Sequence, residues 1–432
     1  MSIDDERVSA GSSTSVTRWF GALPGLREAR VMSLFALVAG MILCGVSLWY
    51  GFRGELFMGR PMGGDFVQYY AAGKIAAPAV YDRSYLSTVE HAEIPEWSRQ
   101  QMLSYGYPPW FVQLLRPFAL LPYRAAYCAW LLISLAIFAA SVALLFPVAG
   151  LAGRERSTAI LLAISAAPFL FETWIGGQVP IVGFLSIALL LRLRHDGRPF
   201  AAGLAFAICT YKPSLVAIPA LMLIIAGEWT VLTGFALGTA ALLGVSLATF
   251  GWAGIAGWIE TMQYVAELAT GTLNAQRRFK QVDVNNFVYL LFGASIWTRI
   301  LAGIASLLLI AKIALATWHL RTASAIQRNA IFAAALTATL VAGVYTPIYD
   351  IALLPAAVLL AWPLVRTLPL VPRQKFQVFV VGLYLVPWLT QSFAEFLHLQ
   401  LLTPLLVAFA LWLCAQASAM PEPLLAPADA SS

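Results

Sequence analysis

The chain has 432 residues, of which 60% are hydrophobic and 11% are charged, and its mean hydropathy is +0.78. An average soluble domain is nearer half apolar and a quarter charged, so the composition excludes a soluble globular protein and a disordered chain. The apolar runs are continuous rather than alternating, which excludes a β-barrel pore, and the net charge of +6 is typical of a protein that contacts anionic lipid. The sequence therefore predicts an all-α polytopic membrane protein.

A helix that spans a membrane needs about 20 apolar residues. The runs that approach this length are 31–50, 125–146, 158–172, 178–193, 230–250, 300–319, 329–346, 350–365, 376–393 and 401–418. Two further runs are irregular: 107–121 is short and rich in proline, and 201–226 is interrupted by Lys212-Pro213. We therefore expect about 10–12 segments in one domain, residues 31–419, with a cytoplasmic arm at 1–30 and a disordered cytoplasmic tail at 420–432.

Positive charge predicts the orientation of these segments. Alternate connections carry arginine, whereas the intervening connections carry neither lysine nor arginine: 173–177, 347–349 and 394–400. By the positive-inside rule the amino terminus is cytoplasmic. The alternation is kept only if 201–226 enters and returns on the same side, as a broken hairpin with Lys212 at its tip. Two long loops, 52–106 and 251–299, then lie on the outer face.

The first outer loop contains a candidate general base. Gly63 and Gly64 precede Asp65 and let the backbone approach a ligand closely, and Tyr69 and Tyr70 follow it, where they can stack on a sugar or bind a hydroxyl. Asp65 is therefore a candidate catalytic carboxylate. The alternative interpretation is that Asp65 is the N-cap of the helix that follows it.

Lys212 is the second candidate, because a lysine inside an apolar run costs about 3 kcal/mol on insertion scales. At the tip of a hairpin it would bind a phosphate or a carboxylate; alternatively, its side chain snorkels to the interface. The basic pair Arg277 and Arg278 lies shortly before Asn285, on the predicted outer side. It is either a site for an anionic head group or a pyrophosphate-like donor, or a solvated basic surface.

The remaining candidates flank short outer turns. Asp350, preceded by Tyr349, is a second acid, an ion ligand or an N-cap, and Gln178 follows a Gly-Gly turn that could line the same cavity. No histidine or cysteine spacing predicts a metal site, and no cofactor is expected. A divalent ion shared by Asp65 and Asp350 remains open.

Taken together, these motifs resemble glycosyltransferase family 87, which includes polyprenol-phosphate-mannose-dependent mannosyltransferases of bacterial envelopes. The resemblance covers roughly residues 35–395 and depends on four stretches: Gly64-Asp65-Phe66 with Tyr69-Tyr70 and Val80-Tyr81-Asp82, Tyr107-Pro108-Pro109-Trp110 with Leu120-Leu121-Pro122, Gly177-Gln178-Val179-Pro180 with Lys212-Pro213, and the basic segment with Asn285.

The resemblance implies a GT-C-type fold with its active site at the outer face of the bacterial inner membrane. It implies a polyprenyl-phosphate sugar donor and a glycolipid or glycan acceptor. On this analogy Asp65 is the base of an inverting transfer, and Lys212 with Arg277 or Arg278 binds the donor phosphate. Mannose is the family default, with the sugar and the acceptor left open.

Two other classes of protein remain. A transporter or lipid flippase also uses broken helices and intramembrane charge, and Lys212 would then contact a head group or substrate. A structural subunit explains the membrane spans but gives no reason for Lys212. The two long outer loops, and the lack of a visible internal repeat, favour an enzyme.

Overall fold

The computed structural model describes residues 26–98, 103–270, 278–343 and 345–420. About 80% of the structure is helix, and the described residues contain no strand, only isolated bridges between Phe57 and Arg60 and between Gln281 and Pro347. The prediction of an all-α polytopic membrane protein is confirmed. Most of the predicted arm at 1–30, and all but one residue of the tail at 420–432, lie outside the described residues.

The α-helices are numbered in chain order. They are α1 (Leu26–Phe52), α2 (Phe66–Lys74), α3 (Arg83–Glu93), α4 (Pro109–Ala119), α5 (Tyr123–Leu144), α6 (Phe146–Ala149), α7 (Arg154–Ser165), α8 (Pro180–His195), α9 (Pro199–Phe206), α10 (Ala217–Ile225), α11 (Trp229–Thr270), α12 (Val284–Phe292), α13 (Ile296–His319), α14 (Ala325–Thr339), α15 (Leu354–Thr367), α16 (Leu370–Leu397) and α17 (Leu402–Ala419).

Seven stretches of the described chain are long and apolar enough to cross a membrane, and an eighth is formed if α7 and the π-helix Pro168–Ile175, bent by 58°, are counted as one span. The seven are 27–52, 123–149, 229–267, 296–319, 348–367, 370–397 and 402–419. The sequence-based count of about 10–12 segments is larger because it included short or broken helices, among them α8, α14 and the two arms of the hairpin.

The two predicted outer loops contain helices. The first loop holds α2 and α3, and the proline-rich run after it folds as α4. The second begins as a continuation of α11, which kinks at Gly251, where φ is +65°. Helix α2 packs closely on α4, because a Cβ at Gly73 would lie 2.9 Å from the carbonyl oxygen of Leu115. The loops are therefore folded layers over one end of the bundle.

The run 201–226 is a broken hairpin, as its interruption predicts. Helix α9 and a 3-10 turn lead to Lys212, whose backbone is extended, and Pro213–Leu215 and α10 lead back. Arg194 at the end of α8 forms an ion pair with Glu228, which follows α10. This pair holds the entry and the exit of the hairpin at the same end of the bundle, so Lys212 lies at the other end.

The hairpin is held against α11 by close backbone contact. A Cβ at Gly203 of α9 would lie 1.9 Å from the carbonyl oxygen of Val231, and one at Gly234 of α11 would lie 2.1 Å from that of Phe200. Only glycine fits at both positions. Further along, a Cβ at Gly238 of α11 would lie 2.6 Å from the Cβ of Ala207, which follows α9. Because later residues of α11 meet later residues of this arm, the two run side by side in the same direction, which fixes the depth of the hairpin tip.

Candidate functional site

Asp65 lies in a turn that packs against a second turn from the middle of the chain. Gly63 and Gly64 have φ values of +84° and +50°, conformations that favour glycine. The backbone N–H of Asp65 donates to the carbonyl oxygen of Gly176 at 3.1 Å. Asp65 directly precedes α2, but its side chain makes no capping hydrogen bond. The N-cap interpretation of the carboxylate is therefore not what the structure shows.

The Asp65 carboxylate is instead bound by Gln178, whose Nε2 donates to Oδ2 of Asp65. The Oε1 atom of Gln178 accepts from the hydroxyl of Tyr69 at 2.9 Å, and that hydroxyl lies 3.0 Å from the hydroxyl of Tyr107. An ionised carboxylate only accepts, so the amide N–H faces Asp65, Tyr69 donates to the amide oxygen, and Tyr107 donates to Tyr69. The three side chains form one directed chain that ends on Asp65.

An unusual helix positions Gln178. The π-helix Pro168–Ile175 ends just before the Gly176-Gly177 turn, and the N–H of Gln178 donates to the carbonyl oxygen of Thr173 at 2.8 Å. The Thr173 hydroxyl also donates to the carbonyl oxygen of Tyr349 at 3.2 Å. Single-turn π segments are frequent at functional sites. Here the segment connects Gln178 to the residues around Asp350.

Lys212, at the tip of the hairpin, forms an ion pair with Asp350. The side chain of Asp350 is 2% exposed and that of Lys212 is 15% exposed, so this pair is buried. The ammonium nitrogen of Lys212 also lies 5.1 Å from the ring centroid of Tyr349, within the range of a cation–π contact. Asp350 is the third residue of the 3-10 segment Ile348–Leu353 and thus is not the N-cap.

Tyr107 connects the Asp65 and Lys212 parts of the site. Its hydroxyl contacts Tyr69, while its ring stacks on that of Tyr211, with centroids 5.9 Å apart and planes at 10°. Burial raises the pKa of the Tyr107 phenol, and the carboxylates of Asp350 and Asp65 raise it further. The phenol therefore stays neutral and lies within electrostatic reach of both carboxylates.

The basic segment reaches the site through the backbone. Gln281 pairs with Pro347 in an isolated bridge, and the N–H of Thr346 donates to Oδ2 of Asp283 at 3.0 Å. Arg278 precedes this junction; it is 7% exposed, and its guanidinium lies 4.8 Å from the ring centroid of Tyr289. The Nε atom of Arg278 is buried and has no hydrogen-bond partner among the described residues.

Asp283 anchors this junction. Its carboxylate accepts from the backbone N–H and the side-chain amide of Asn286 as well as from Thr346. Burial raises the pKa of Asp283 to about 6, although these hydrogen bonds oppose the shift. Asp283 therefore holds the segment that carries Arg278 beside the residues that lead to Asp350.

Three candidate residues named from the sequence either make other contacts or lie outside the described residues. Tyr70 is buried, and its hydroxyl donates to the carbonyl oxygen of Leu121 at 2.7 Å, so it connects α2 to the turn between α4 and α5. The half-buried Asn285 is in the first turn of α12, and the neighbouring Asn286 makes the bonds to Asp283. Arg277 lies outside the described residues.

Two contributors were missed from the sequence. Tyr211 was hidden in an apolar run, although its position next to Lys212 is a usable signal. Glu90 of α3 is fully buried, and burial raises its pKa from 4.5 to about 8; a hydrogen bond from the N–H of Leu103 lowers the pKa and the charge of Asp65 raises it further. No group of three metal-binding side chains occurs within the described ranges.

The fold and the site define a multi-pass membrane protein with a buried, carboxylate-containing centre. The sequence model of glycosyltransferase family 87 matches residues 105–347, which is more than half of the chain. The protein therefore belongs to glycosyltransferase family 87 and is a membrane glycosyltransferase. Comparisons with curated proteins and with solved structures gave no significant match. Tyr107, Gln178, Lys212 and Arg278 lie inside the matched region.

Proposed function

We propose that the protein transfers a hexose, with mannose as the first candidate, from a polyprenyl-phosphate sugar to a glycolipid or glycan of the cell envelope. The fold is then of the GT-C type. The charge distribution supports a cytoplasmic amino terminus and a site on the extracytoplasmic side of the bacterial inner membrane. The polyprenyl chain of such a donor stays in the bilayer while its sugar reaches the interface.

The main observation that supports the proposal is the orientation of the Asp65 carboxylate. A carboxylate that only capped α2 would turn back to the helix, whereas Asp65 is bound by Gln178 and belongs to the cluster around Tyr107. The same cluster includes the ring of Tyr211, the neighbour of Lys212, whose ammonium group pairs with Asp350. A base and a cation connected through one aromatic cluster suit a displacement at an anomeric carbon.

Each group has a role in that displacement. Asp65 takes the proton of the acceptor hydroxyl as its oxygen attacks the anomeric carbon. The bond from that carbon to the phosphate oxygen breaks on the opposite face, and polyprenyl phosphate leaves with both electrons of the bond. A single displacement inverts the anomeric centre.

Lys212 and Arg278 stabilise the leaving phosphate. A lysine ammonium has three N–H groups, so the bond to Asp350 leaves Lys212 with capacity for a phosphate oxygen. Arg278 contributes a guanidinium group, which suits phosphate geometry. Fixed positive charge at the leaving group favours its departure.

The direct test of this mechanism is Asp65→Asn, which keeps the shape of the side chain and removes its basicity. We expect transfer of labelled hexose to a membrane lipid acceptor to fall at least ~100-fold, because a general base contributes 10²–10⁴ in rate. The matched control is Glu55→Gln, which neutralises an exposed carboxylate of the same loop that pairs only with Arg53 among the described residues.

The control should retain wild-type turnover, because an exposed ion pair contributes little to stability. Unfolding temperatures of both variants, measured in the same detergent, separate loss of catalysis from loss of fold. Near-normal turnover by Asp65→Asn would contradict the mechanism.

A lipid transporter is the second candidate function, because the broken hairpin with a buried lysine at its tip is also a transporter feature. On that interpretation Lys212 is a head-group contact and Asp65 has no proton to take. The two functions differ in whether polyprenyl phosphate is released.

A further inference from the structure

A narrow cleft lies at the end of the bundle opposite Lys212, beside the ion pair that closes the hairpin. It is formed by the ends of α8, α10 and α13 and the start of α14. Its lining includes Arg194, Met222, Glu228, Thr317, Arg321 and Arg328. We name it the arginine cleft.

Positive charge is in excess in the arginine cleft. Arg194 is neutralised by Glu228, whereas Arg321 and Arg328 form no ion pair with a carboxylate in the described part of the chain. Both are exposed. The Arg321 guanidinium lies 3.7 Å from the ring centroid of Trp318, and Arg328 donates to the carbonyl oxygen of Ala323. Two guanidinium groups of different elements are therefore held at the rim of one cleft.

An apolar surface adjoins this charge. Leu221 and Ile224 of α10, and Leu315 and Trp318 of α13, are exposed. The two helices are in contact, because the hydroxyl of Thr317 lies 3.2 Å from the sulfur of Met222. The paired cations at the helix ends suit the charged head group of an amphiphile. The exposed apolar side chains that continue along the helices suit its apolar chains.

We propose that the arginine cleft binds an anionic phospholipid of the bilayer, with its phosphate on Arg321 and Arg328 and its acyl chains along α10 and α13. The guanidinium group bonds phosphate oxygens in a bidentate manner, and basic pockets between membrane helices bind such head groups. The cleft has room for about one water molecule, so the phosphate lies at the rim rather than inside.

The occupant is a structural lipid and not the sugar donor. The arginine cleft is separated from Lys212 by the full length of the hairpin arm α10, and among the described residues no hydrogen bond or ion pair joins its lining to the candidate active site. The charge distribution of the sequence places this end at the cytoplasmic face, where anionic lipids attract basic residues. The inference is therefore independent of the proposed function.

The test is a titration of the full chain, in neutral detergent, with phosphatidylglycerol or phosphatidylcholine, in which the thermal unfolding midpoint is followed. Phosphatidylglycerol should raise the midpoint saturably and phosphatidylcholine should not. The variant Arg321→Gln with Arg328→Gln should bind about 30-fold more weakly, because each arginine contributes on the order of 1 kcal/mol and 1.4 kcal/mol is a factor of ten.

The matched control is Arg154→Gln with Arg198→Gln, which removes two exposed arginines from neighbouring connections outside the cleft. Its affinity should equal that of the wild type. Equal weakening in both double variants, or no preference for phosphatidylglycerol, would overturn the proposal. The same midpoint shift with inorganic phosphate would also overturn it, because the site would then bind free phosphate.

A second measurement uses the unmodified chain. Phosphatidylglycerol with a photoreactive acyl chain should label peptides from 217–225 and 296–319, and excess unlabelled phosphatidylglycerol should suppress this labelling. Labelling confined to other helices would overturn the proposal without reference to any variant.

Discussion

Asp65 is oriented by a residue 113 positions further along the chain. The local sequence around Asp65 predicts a helix cap equally well, and the helix does begin at the next residue. The carboxylate is turned away from that helix because Gln178 is buried and needs an acceptor for its amide. Local sequence could therefore nominate Asp65, but only the tertiary contact between two glycine turns determines where its carboxylate is directed.

The adjacent tyrosines Tyr69 and Tyr70 provide a matched test of the directed chain. Tyr69→Phe removes the hydroxyl that donates to Gln178 and accepts from Tyr107. We expect kcat to fall at least on the order of tenfold with little change in KM, since two hydrogen bonds of about 1 kcal/mol each are lost and 1.4 kcal/mol is a factor of ten. Tyr70→Phe removes the bond to Leu121 and the contact of the hydroxyl with Lys74, neither of which belongs to the chain that ends on Asp65, so its kcat should stay at the wild-type value. Equal loss of kcat in both variants would mean that the chain to Asp65 has no special role.

Glu90 gives a pH-dependent prediction for stability. Its pKa is raised from 4.5 to about 8 in the folded protein, chiefly by burial, so the folded state binds the proton more tightly than the unfolded state. Stability is then greatest below pH 4.5 and falls as pH rises to about 8. Glu90→Gln mimics the protonated form, and it should raise the unfolding midpoint at pH 9 by the equivalent of a few kcal/mol, and hardly at all at pH 5.

The control for this prediction is Glu93→Gln, which removes a carboxylate of the same helix, α3, that pairs with Lys74 of α2. It should give no gain at pH 9. A midpoint for Glu90→Gln that differs from the wild type by the same amount at both pH values would contradict the assigned protonation of Glu90.

At the scale of elements, the hairpin was predictable because charge alternation and the Lys212-Pro213 interruption both required it. The partner of Lys212 at the hairpin tip was not predictable. Asp350 was expected as an acid, an ion ligand or a cap, and no local pattern links it to a lysine 138 positions away. The π-helix before Gln178 was also unpredictable, because its sequence is mostly apolar and periodic signals do not distinguish π from α winding.

The ion pair between the hairpin tip and the late 3-10 segment makes a prediction that separates folding from catalysis. Lys212→Gln leaves the buried carboxylate of Asp350 without its partner and should destabilise the protein by about 3 kcal/mol. Adding Asp350→Asn removes the buried charge, so the double variant should recover most of the stability in a denaturant or thermal titration.

Transfer activity should not recover in the double variant, because the Lys212 ammonium is still missing and only Arg278 remains for the donor phosphate. Recovery of both stability and turnover would show that Lys212 is only a structural partner of Asp350. The donor KM, measured alongside, reports whether phosphate binding is the step that is lost.

At the scale of the whole molecule, composition alone fixes the class of fold, because so apolar a chain has no other way to satisfy its backbone. The number of spans is less certain from sequence, since helices such as α8 and α14 are apolar but short. From the sequence alone, only part of the candidate site could be predicted. Asp65, Gln178, Lys212 and Asp350 were named, but their grouping needs the packing of the outer helices over the bundle.

The central claim is that this membrane glycosyltransferase uses a lipid-phosphate donor. The most direct measurement supplies the purified protein in lipid nanodiscs with a panel of radiolabelled polyprenyl-phosphate sugars and nucleotide sugars, with a membrane lipid extract as acceptor. We predict acceptor-dependent release of polyprenyl phosphate with one sugar of the panel and no turnover of the nucleotide sugars. Turnover of a nucleotide sugar, or movement of the lipid between leaflets of vesicles without any release, would contradict the account.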